Sequence, residues 1–203
     1  MSASSPALRA PDKELIATMP VFVSLVRSAV CIPATPEEIA AALAELKKQP
    51  CLGFDTESKP TFHKGEVSDG PHLVQFATAQ RAWLFQVRSQ AARVAIADVL
   101  LDASIVKAGF GLANDTSQLA HKFSISPQNL IDLDSDFRRL GYRNAVGAKG
   151  AIAILFKQRF VKSKRISTSN WSLAQLNDQQ VLYAANDAYA AIRVYEALRT
   201  LSL

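Results

Sequence analysis

Residues Cys51 to Glu57 read CLGFDTE, a short apolar run that ends in two carboxylates. Leu52 and Phe54 suit a buried strand, and successive side chains of a strand point to opposite faces. Asp55 and Glu57 are therefore expected on one face at the end of this strand. Two carboxylates at one spot are unfavourable unless a proton or a cation lies between them, and hard divalent cations prefer carboxylate oxygens. The stretch indicates either a metal site or, since such tripeptides are common, a polar strand terminus that enters a loop.

The segments before this strand predict a tail, an edge element and a helix. Residues 1–20 are rich in Ser, Ala and Pro without a clear period, and we expect a flexible N-terminal tail followed by a single domain over 21–203. Residues 21–32 have a β-rich composition and predict an edge strand or an approach segment. Thr35, Pro36 and Glu38 form the pattern of a helix start with a capping box, so a helix is expected from Pro36 to about Lys48.

The segments after the strand alternate between strand and helix signals. Strands are expected at 72–78, 82–87 and 105–108, and helices at 91–101 and 115–122. From residue 135 onward the pattern is mainly helical, and it is interrupted by a basic stretch, Lys157 to Arg165, that predicts a loop. Asn177 and Gln180 form a second capping pattern, which starts the last helix. This order predicts an α/β fold with a mixed sheet flanked by helices.

Composition limits the class of protein. The chain has 203 residues, of which 49% are hydrophobic and 20% charged, so one domain with a sizeable core is expected. Two cysteines, Cys31 and Cys51, do not make a disulfide framework, and we expect an intracellular protein. The longest apolar stretch, residues 15–32, is broken by Pro20 and Arg27, so neither a membrane span nor a secretory signal is predicted.

Positive charge is concentrated in one part of the chain. Residues 138–176 contain nine Lys and Arg and no Asp or Glu, whereas the whole chain has a net charge of only +5. The remainder is therefore net negative. A basic segment beside an acidic remainder is what a phosphate-binding face next to a cluster of metal-binding carboxylates would produce. A solvated basic surface is the alternative for any single residue of the segment.

Two further acids stand in settings that call for an explanation. Asp187 lies in the helical pattern YAANDAYAA, and Tyr183 lies four residues earlier on the same helix face. A carboxylate among alanines and tyrosines indicates a function, although Tyr183 as a core aromatic and Asp187 as a solvent-facing residue is the alternative. Asp115 follows a glycine-containing turn near the start of a helix, where it could bind a metal or stabilise the helix terminus.

These motifs, in their order, resemble those of the DEDD superfamily of 3′-5′ exonucleases, in the subclass with Tyr in the third motif. The branch most similar is that of ribonuclease D and the Werner-syndrome exonuclease. The resemblance covers roughly residues 33–201 and rests on FDTE, AGFGLANDTSQL, SNWS and YAANDAYA in this order. It implies a ribonuclease H-like fold. One departure is Ala174-Gln175-Leu176, where relatives often have a proline before the leucine, and it concerns only the entry into the last helix.

The resemblance also implies a catalytic set. Asp55 and Glu57 match the first motif, Asp115 the second, and Tyr183 with Asp187 the third. The four acids would hold two divalent metal ions, Mg²⁺ or Mn²⁺, with Asp55 shared by both. Tyr183 would orient the attacking water, since a phenol with an ordinary pKa near 10 keeps its proton at neutral pH.

Candidate substrate contacts follow from the same resemblance and from the basic segment. Thr56 and Phe110 match positions beside the terminal nucleotide, although Phe110 could equally be a core residue. Trp171 belongs to the signature that precedes the third motif. Lys164 and Arg165 are expected to hold phosphates without regard to base sequence.

The function implied is hydrolysis of nucleic acid, DNA or RNA, from the 3′ end with release of nucleoside 5′-monophosphates. The alternative is a catalytically silent module that uses the same fold to bind nucleic acid or a partner protein. The last helix ends close to the end of this sequence, so no appended helicase or helical nucleic-acid-binding domain is expected within it.

Overall fold

The computed structural model describes residues 8–61, 65 and 68–201. Its strands are β1 (Val30–Cys31), β2 (Cys51–Glu57), β3 (Leu73–Ala77), β4 (Ala82–Gln86), β5 (Val106–Gly109) and β6 (Leu130–Asp132). Its helices are α1 (Lys13–Thr18), α2 (Pro36–Leu46), α3 (Gln90–Leu101), α4 (Ala113–Phe123), α5 (Leu133–Arg139), α6 (Gly147–Phe156), α7 (Lys164–Ser167) and α8 (Asp178–Thr200). A short 3-10 helix, Arg27–Ala29, precedes β1.

The six strands form one mixed sheet in the order β1-β4-β3-β2-β5-β6. β2, β3 and β4 form an antiparallel meander, whereas β1 pairs with β4, β5 with β2, and β6 with β5 in parallel. The predicted mixed sheet is therefore confirmed. Because β2 and β5 are parallel, their carboxyl ends meet at one edge of the sheet, and the helix that follows β5 begins beside the end of β2.

Helices cover both faces of this sheet. Leu52 and Phe54 of β2 pack in a hydrophobic cluster with α2 and α3, whereas Cys51 contacts the cluster formed by α5, α6 and α8. Alternation along β2 then directs Asp55 and Glu57 to the α8 side. The two buried clusters fix the register of β2, since a slip by one residue would turn both carboxylates toward the apolar cluster of α2 and α3.

Both predicted capping boxes are confirmed. The Thr35 hydroxyl accepts a hydrogen bond from the Glu38 amide, and the Glu38 carboxylate accepts one from the Thr35 amide. Asn177 and Gln180 make the same reciprocal pair at the start of α8. Each pair satisfies backbone donors that have no partner within the helix, so the sequence fixes where α2 and α8 begin.

The N-terminal segment differs from a tail without structure. Residues 13–18 form α1, which starts at Asp12 because its carboxylate accepts a hydrogen bond from the Leu15 amide at 2.8 Å. The Leu8 amide donates to the Gly141 carbonyl at 3.0 Å, which ties the segment to the rest of the domain. Residues 1–7 of the predicted tail lie outside the described residues, and the domain boundary near residue 20 stays a prediction.

One smaller prediction is narrowed and another is corrected. Of residues 21–32, Val30 and Cys31 form the edge strand β1, and Val21 makes an isolated bridge with Arg159. The predicted loop over residues 157–165 is interrupted at its end, where Lys164 and Arg165 form the first turn of α7. This turn is held by backbone bonds such as that from the Ser167 amide to the Ser163 carbonyl, a pattern that the sequence does not announce. Within the described ranges, no helix is long and apolar enough to cross a membrane.

Candidate active site

The end of β2 meets α8 at unusually close range. At Gly53, an added Cβ would overlap the carbonyl oxygen of Ala188 and lie 2.8 Å from the backbone nitrogen of Ile192. Glycine is therefore the residue that lets the helix backbone touch the strand. This close approach places Asp187, one residue before Ala188, beside Asp55, two residues after Gly53.

Three carboxylates converge at this contact. Asp55, Glu57 and Asp187 each offer an oxygen, and these oxygens all lie within 4.8 Å of one another. Asp187 is buried with 5% of its surface exposed, and Asp55 and Glu57 are half-buried. The solvent-facing alternative for Asp187 is therefore wrong, because its side chain points into the junction between α8 and β2.

Asp115 approaches the same strand end from α4. Gly111, with a φ of +64°, turns the chain from the end of β5 toward this helix. The Asp115 carboxylate accepts a hydrogen bond from the Thr56 hydroxyl. Asp115 lies in the first turn of α4, where its charge also suits the helix terminus, and Leu112 occupies the N-cap position without a side-chain cap. Asp115 thus lies beside the three converging carboxylates but outside the 4.8 Å group.

Burial raises the pKa of all four acids, and repulsion from neighbouring carboxylates adds to it at Asp55 and Glu57. Burial raises the pKa of Asp55, and repulsion from Asp187 raises it further. Burial and the charges of Asp55 and Asp187 act in the same direction on the pKa of Glu57. The pKa of Asp187 is raised by burial, against the lowering effect of Lys162 and Tyr183. Burial also raises the pKa of Asp115. A cation at this position would relieve these repulsions, and the cluster is costly without one.

Lys162 supplies one positive charge to the cluster, and sequence reasoning missed it. Its Nζ lies 2.7 Å from Oδ2 of Asp187 and 5.4 Å from the centre of the Tyr183 ring. The cue in the sequence is weak: Phe160 is buried, Val161 and Ser163 are exposed, and Lys162 shares the inward side with Phe160. The alternation of inward and outward side chains along this segment can be recognised only once Phe160 is known to be buried.

Lys164 and Arg165, the residues predicted from the basic segment, lie farther along the chain in α7. Both are exposed. Arg165 donates to the Gln179 side chain at 3.2 Å and lines a shallow groove of about 320 Å³ together with Tyr183 and Asp187. Arg165 thus faces the same region as the carboxylates, whereas none of the contacts described for Lys164 reaches them.

Tyr183 is held next to Asp187 by Trp171. The two rings are 6.0 Å apart between centroids, and the Trp171 indole donates to the Ser167 carbonyl at 3.1 Å. Trp171 is only 1% exposed. The structure therefore places it behind Tyr183, where it supports the phenol. Burial and the charge of Asp187 raise the pKa of Tyr183 to about 12.

Phe110 borders the open side of the cluster. It is half-buried and lines a cavity of about 350 Å³ together with Asp55, Asp187 and Lys162. Its ring packs partly against the hydrophobic cluster around α8. Both sequence interpretations thus describe part of its surface, since one side contacts the core and the other faces the cavity.

The residues present fit a divalent cation. All the candidate ligands are carboxylate oxygens, which hard cations prefer. Oδ1 of Asp187 is buried and makes no hydrogen bond within the described part of the chain. A buried charged oxygen without a partner is expensive, so this atom favours a ligand, such as a cation, from outside the described residues.

Comparison with known proteins agrees with this geometry. A family model described as 3′-5′ exonuclease matches residues 30–202. A 3′-5′ exonuclease of Arabidopsis thaliana is 28% identical over 152 residues, covering 74% of this chain and 53% of the relative. The mouse bifunctional 3′-5′ exonuclease/ATP-dependent helicase WRN is 30% identical over 152 residues, covering 74% of this chain and 11% of the relative. The chain thus spans about half the length, or much less, of these curated relatives.

Solved structures show the same fold. The EXO domain of Aedes aegypti Nibbler has a TM-score of 0.74 at 23% identity, with 88% of this chain and 90% of that chain covered. Trypanosoma brucei RNase D in complex with RNA has a TM-score of 0.74 at 18% identity, with 91% and 64% covered.

Proposed function

Because this chain belongs to the 3′-5′ exonuclease family, we propose that it hydrolyses nucleic acid one nucleotide at a time from the 3′ end and releases nucleoside 5′-monophosphates. The observation that carries the proposal is the convergence of three carboxylate oxygens within 4.8 Å at the end of β2. Membership of the family indicates hydrolysis from the 3′ end, and the carboxylates are the groups that would bind the metal ions needed for it.

Asp55, Glu57 and Asp187 would hold divalent metal ions, with Asp115 completing the set from the α4 side. When bound, two ions, Mg²⁺ or Mn²⁺, lower the pKa of an attacking water and neutralise charge on the leaving oxygen. The orphaned Oδ1 of Asp187 supports this assignment.

Tyr183 acts as a donor that orients the attacking water rather than as a base. Its pKa of about 12 keeps the phenol protonated at neutral pH. Trp171 is a positioning residue, because its buried ring fixes the Tyr183 ring and touches no open surface near the carboxylates.

Phe110 and Thr56 contact the terminal nucleotide in this proposal. Phe110 borders the cavity at the carboxylates and offers an aromatic face on which a base stacks with little regard to its identity. Thr56 lies between Asp55 and Glu57, and its hydroxyl also fixes Asp115. Arg165, with Lys164 at the same turn, contacts phosphates.

A time course on strands labelled at the 5′ end tests the function. We expect stepwise shortening with Mg²⁺ or Mn²⁺ and none with EDTA, on matched DNA and RNA single strands and on a duplex with a recessed 3′ end. Asp55→Asn and Asp187→Asn should lower the rate by about 10²–10³-fold, the order expected when several kcal/mol of charge stabilisation are lost. Asp98→Asn, on an exposed helix surface, is the matched control.

Two outcomes would overturn the proposal. One is equal shortening by Asp55→Asn and the unmodified protein, and the other is cleavage of internal bonds when the 3′ end is blocked. A catalytically silent module would show no Mn²⁺ binding that depends on Asp55, which titration calorimetry measures. No contact in the described residues favours that alternative. The intracellular location predicted from Cys31 and Cys51, both free thiols here, remains part of this proposal.

A further inference from the structure

A groove of about 460 Å³ runs between the N-terminal segment, residues 8–20, and the segments around α6. We call it the basic groove. Four of the residues that line it are positively charged, and none is acidic: Lys13, Lys149, Arg159 and Lys162. The acids of α1, Asp12 and Glu14, are exposed and do not line it. Lys162 is paired with Asp187, and the other three positive charges, which make no ion pair within the described residues, attract an anion or a chain of anions.

The wall contributed by α1 is not explained by core packing. None of the residues of α1 is buried. The segment is held instead at its two ends, by the bond from the Leu8 amide to the Gly141 carbonyl at 3.0 Å and by that from the Arg159 amide to the Pro20 carbonyl at 2.8 Å. These backbone bonds, rather than apolar packing, hold α1 beside the groove. Lys13 is therefore exposed at the groove and makes no contribution to the core.

The basic groove opens onto the carboxylates. Lys162 lines both this groove and the cavity that contains Asp55 and Asp187, and its Nζ is 2.7 Å from Asp187. The positive charge of Lys149 also reaches Asp187, whose pKa it lowers. A strand with its 3′ end at the carboxylates therefore has a continuous positive surface leading away from them. The volume of the groove is within the range of about 300–1,000 Å³ typical of ligand sites, so there is room for at least one nucleotide.

We infer that the basic groove binds the sugar-phosphate backbone of a nucleic-acid strand whose 3′ end occupies the carboxylate site, with Lys13 of the N-terminal segment and Lys149 of α6 as phosphate contacts. The inference rests on the proposed function. It extends the substrate-binding surface to residues 8–20. The lysines and the arginine contact phosphates, and the other lining residues are apolar or glycine. Binding is therefore independent of base sequence.

Binding of a labelled strand tests the groove without hydrolysis. Fluorescence anisotropy in EDTA, with a single strand roughly twelve nucleotides long, compares Lys13→Gln and Lys149→Gln with Lys48→Gln. Lys48 is exposed at the end of α2, on the opposite face of the sheet, and is the charge-matched control. Each groove substitution should weaken binding roughly two- to fivefold at low salt. It should also reduce the slope of log affinity against log salt by about 0.7, the value for one lost contact to a single strand.

Hydrolysis with Mg²⁺ adds a test by length. The groove variants should raise KM for the long strand more than for a dinucleotide, because a dinucleotide has no phosphate beyond the scissile one for the groove to contact. Thermal unfolding confirms that all three exposed substitutions keep the fold. If strands are shortened but Lys13→Gln and Lys149→Gln bind like Lys48→Gln, the inference is wrong and the proposed function stands. If no strand is shortened, the proposed function fails, and the anisotropy titrations still decide the groove.

Discussion

Replacement of Lys162 by Met should destabilise the metal-free protein and do so much less when metal is bound. The Lys162 ammonium lies 2.7 Å from Oδ2 of Asp187, and the two side chains are 27% and 4% exposed. At this distance the gross attraction is about 6 kcal/mol for an effective dielectric of about 20, and desolvation offsets much of it. Removal of one partner of a buried pair nevertheless costs about 3–5 kcal/mol, because the other charge stays buried without compensation.

We take the lower end of this range, about 3 kcal/mol, because Lys162 is partly exposed and Asp187 can take up a proton instead. For a domain of this size, Tm then falls by about 6–12 °C. A divalent cation supplies the missing positive charge, so the difference in Tm should shrink when Mg²⁺ replaces EDTA.

The assay is calorimetric unfolding of the unmodified protein and Lys162→Met at pH 7, each in EDTA and in Mg²⁺. Lys48→Met, which removes an exposed charge far from the carboxylates, controls for the change of side chain. The electrostatic reasoning is refuted if Tm in EDTA is unchanged. It is refuted equally if the loss is the same with and without Mg²⁺, since the loss would then come from packing alone.

Three further predictions concern stability. Burial and repulsion from Asp187 raise the pKa of Asp55 from 3.8 to about 8. Between these two pH values the folded protein binds more protons than the unfolded chain, so the Tm of the metal-free protein should fall as pH rises. Asp55→Asn should make this fall smaller. Lys107 is fully buried and its pKa is lowered from 10.5 to about 8, so stability should rise with pH between these values. Lys107→Met should remove that rise and stabilise the protein at pH 7 by about 1–2 kcal/mol. This is less than the free energy that corresponds to the whole pKa shift, because the hydrogen bond from Lys107 to the Asp102 carbonyl is lost. A variant whose stability still rises with pH in this range would contradict the prediction. Gly53→Ala should cost more than about 3 kcal/mol, seen in denaturant unfolding, because the added methyl would overlap the Ala188 carbonyl oxygen. A free energy of unfolding equal to that of the unmodified protein would contradict this.

Local rules determined much of the catalytic constellation. Alternation along β2 places Asp55 and Glu57 on one side, and the spacing of four residues places Tyr183 and Asp187 on one face of α8. The capping pair at Asn177 sets the start of that helix. These features follow from residues a few positions apart, so the sequence alone predicts them, and the ordered motifs extend the prediction to the mixed sheet.

The tertiary structure decided what depends on contacts between distant segments. Lys162, rather than Lys164 or Arg165, pairs with Asp187, because a stretch without helical or strand periodicity takes its path from what it packs against. The position of α1 over the basic groove is likewise set by backbone bonds to residues more than a hundred positions away. The depth at which Trp171 lies, and hence its role behind Tyr183, also emerges only from packing. The sequence by itself thus determined which acids form the site, on which side of β2 or α8 they lie, and the fold. The basic side chains around them were placed by long-range contacts, which leave no local pattern in the chain.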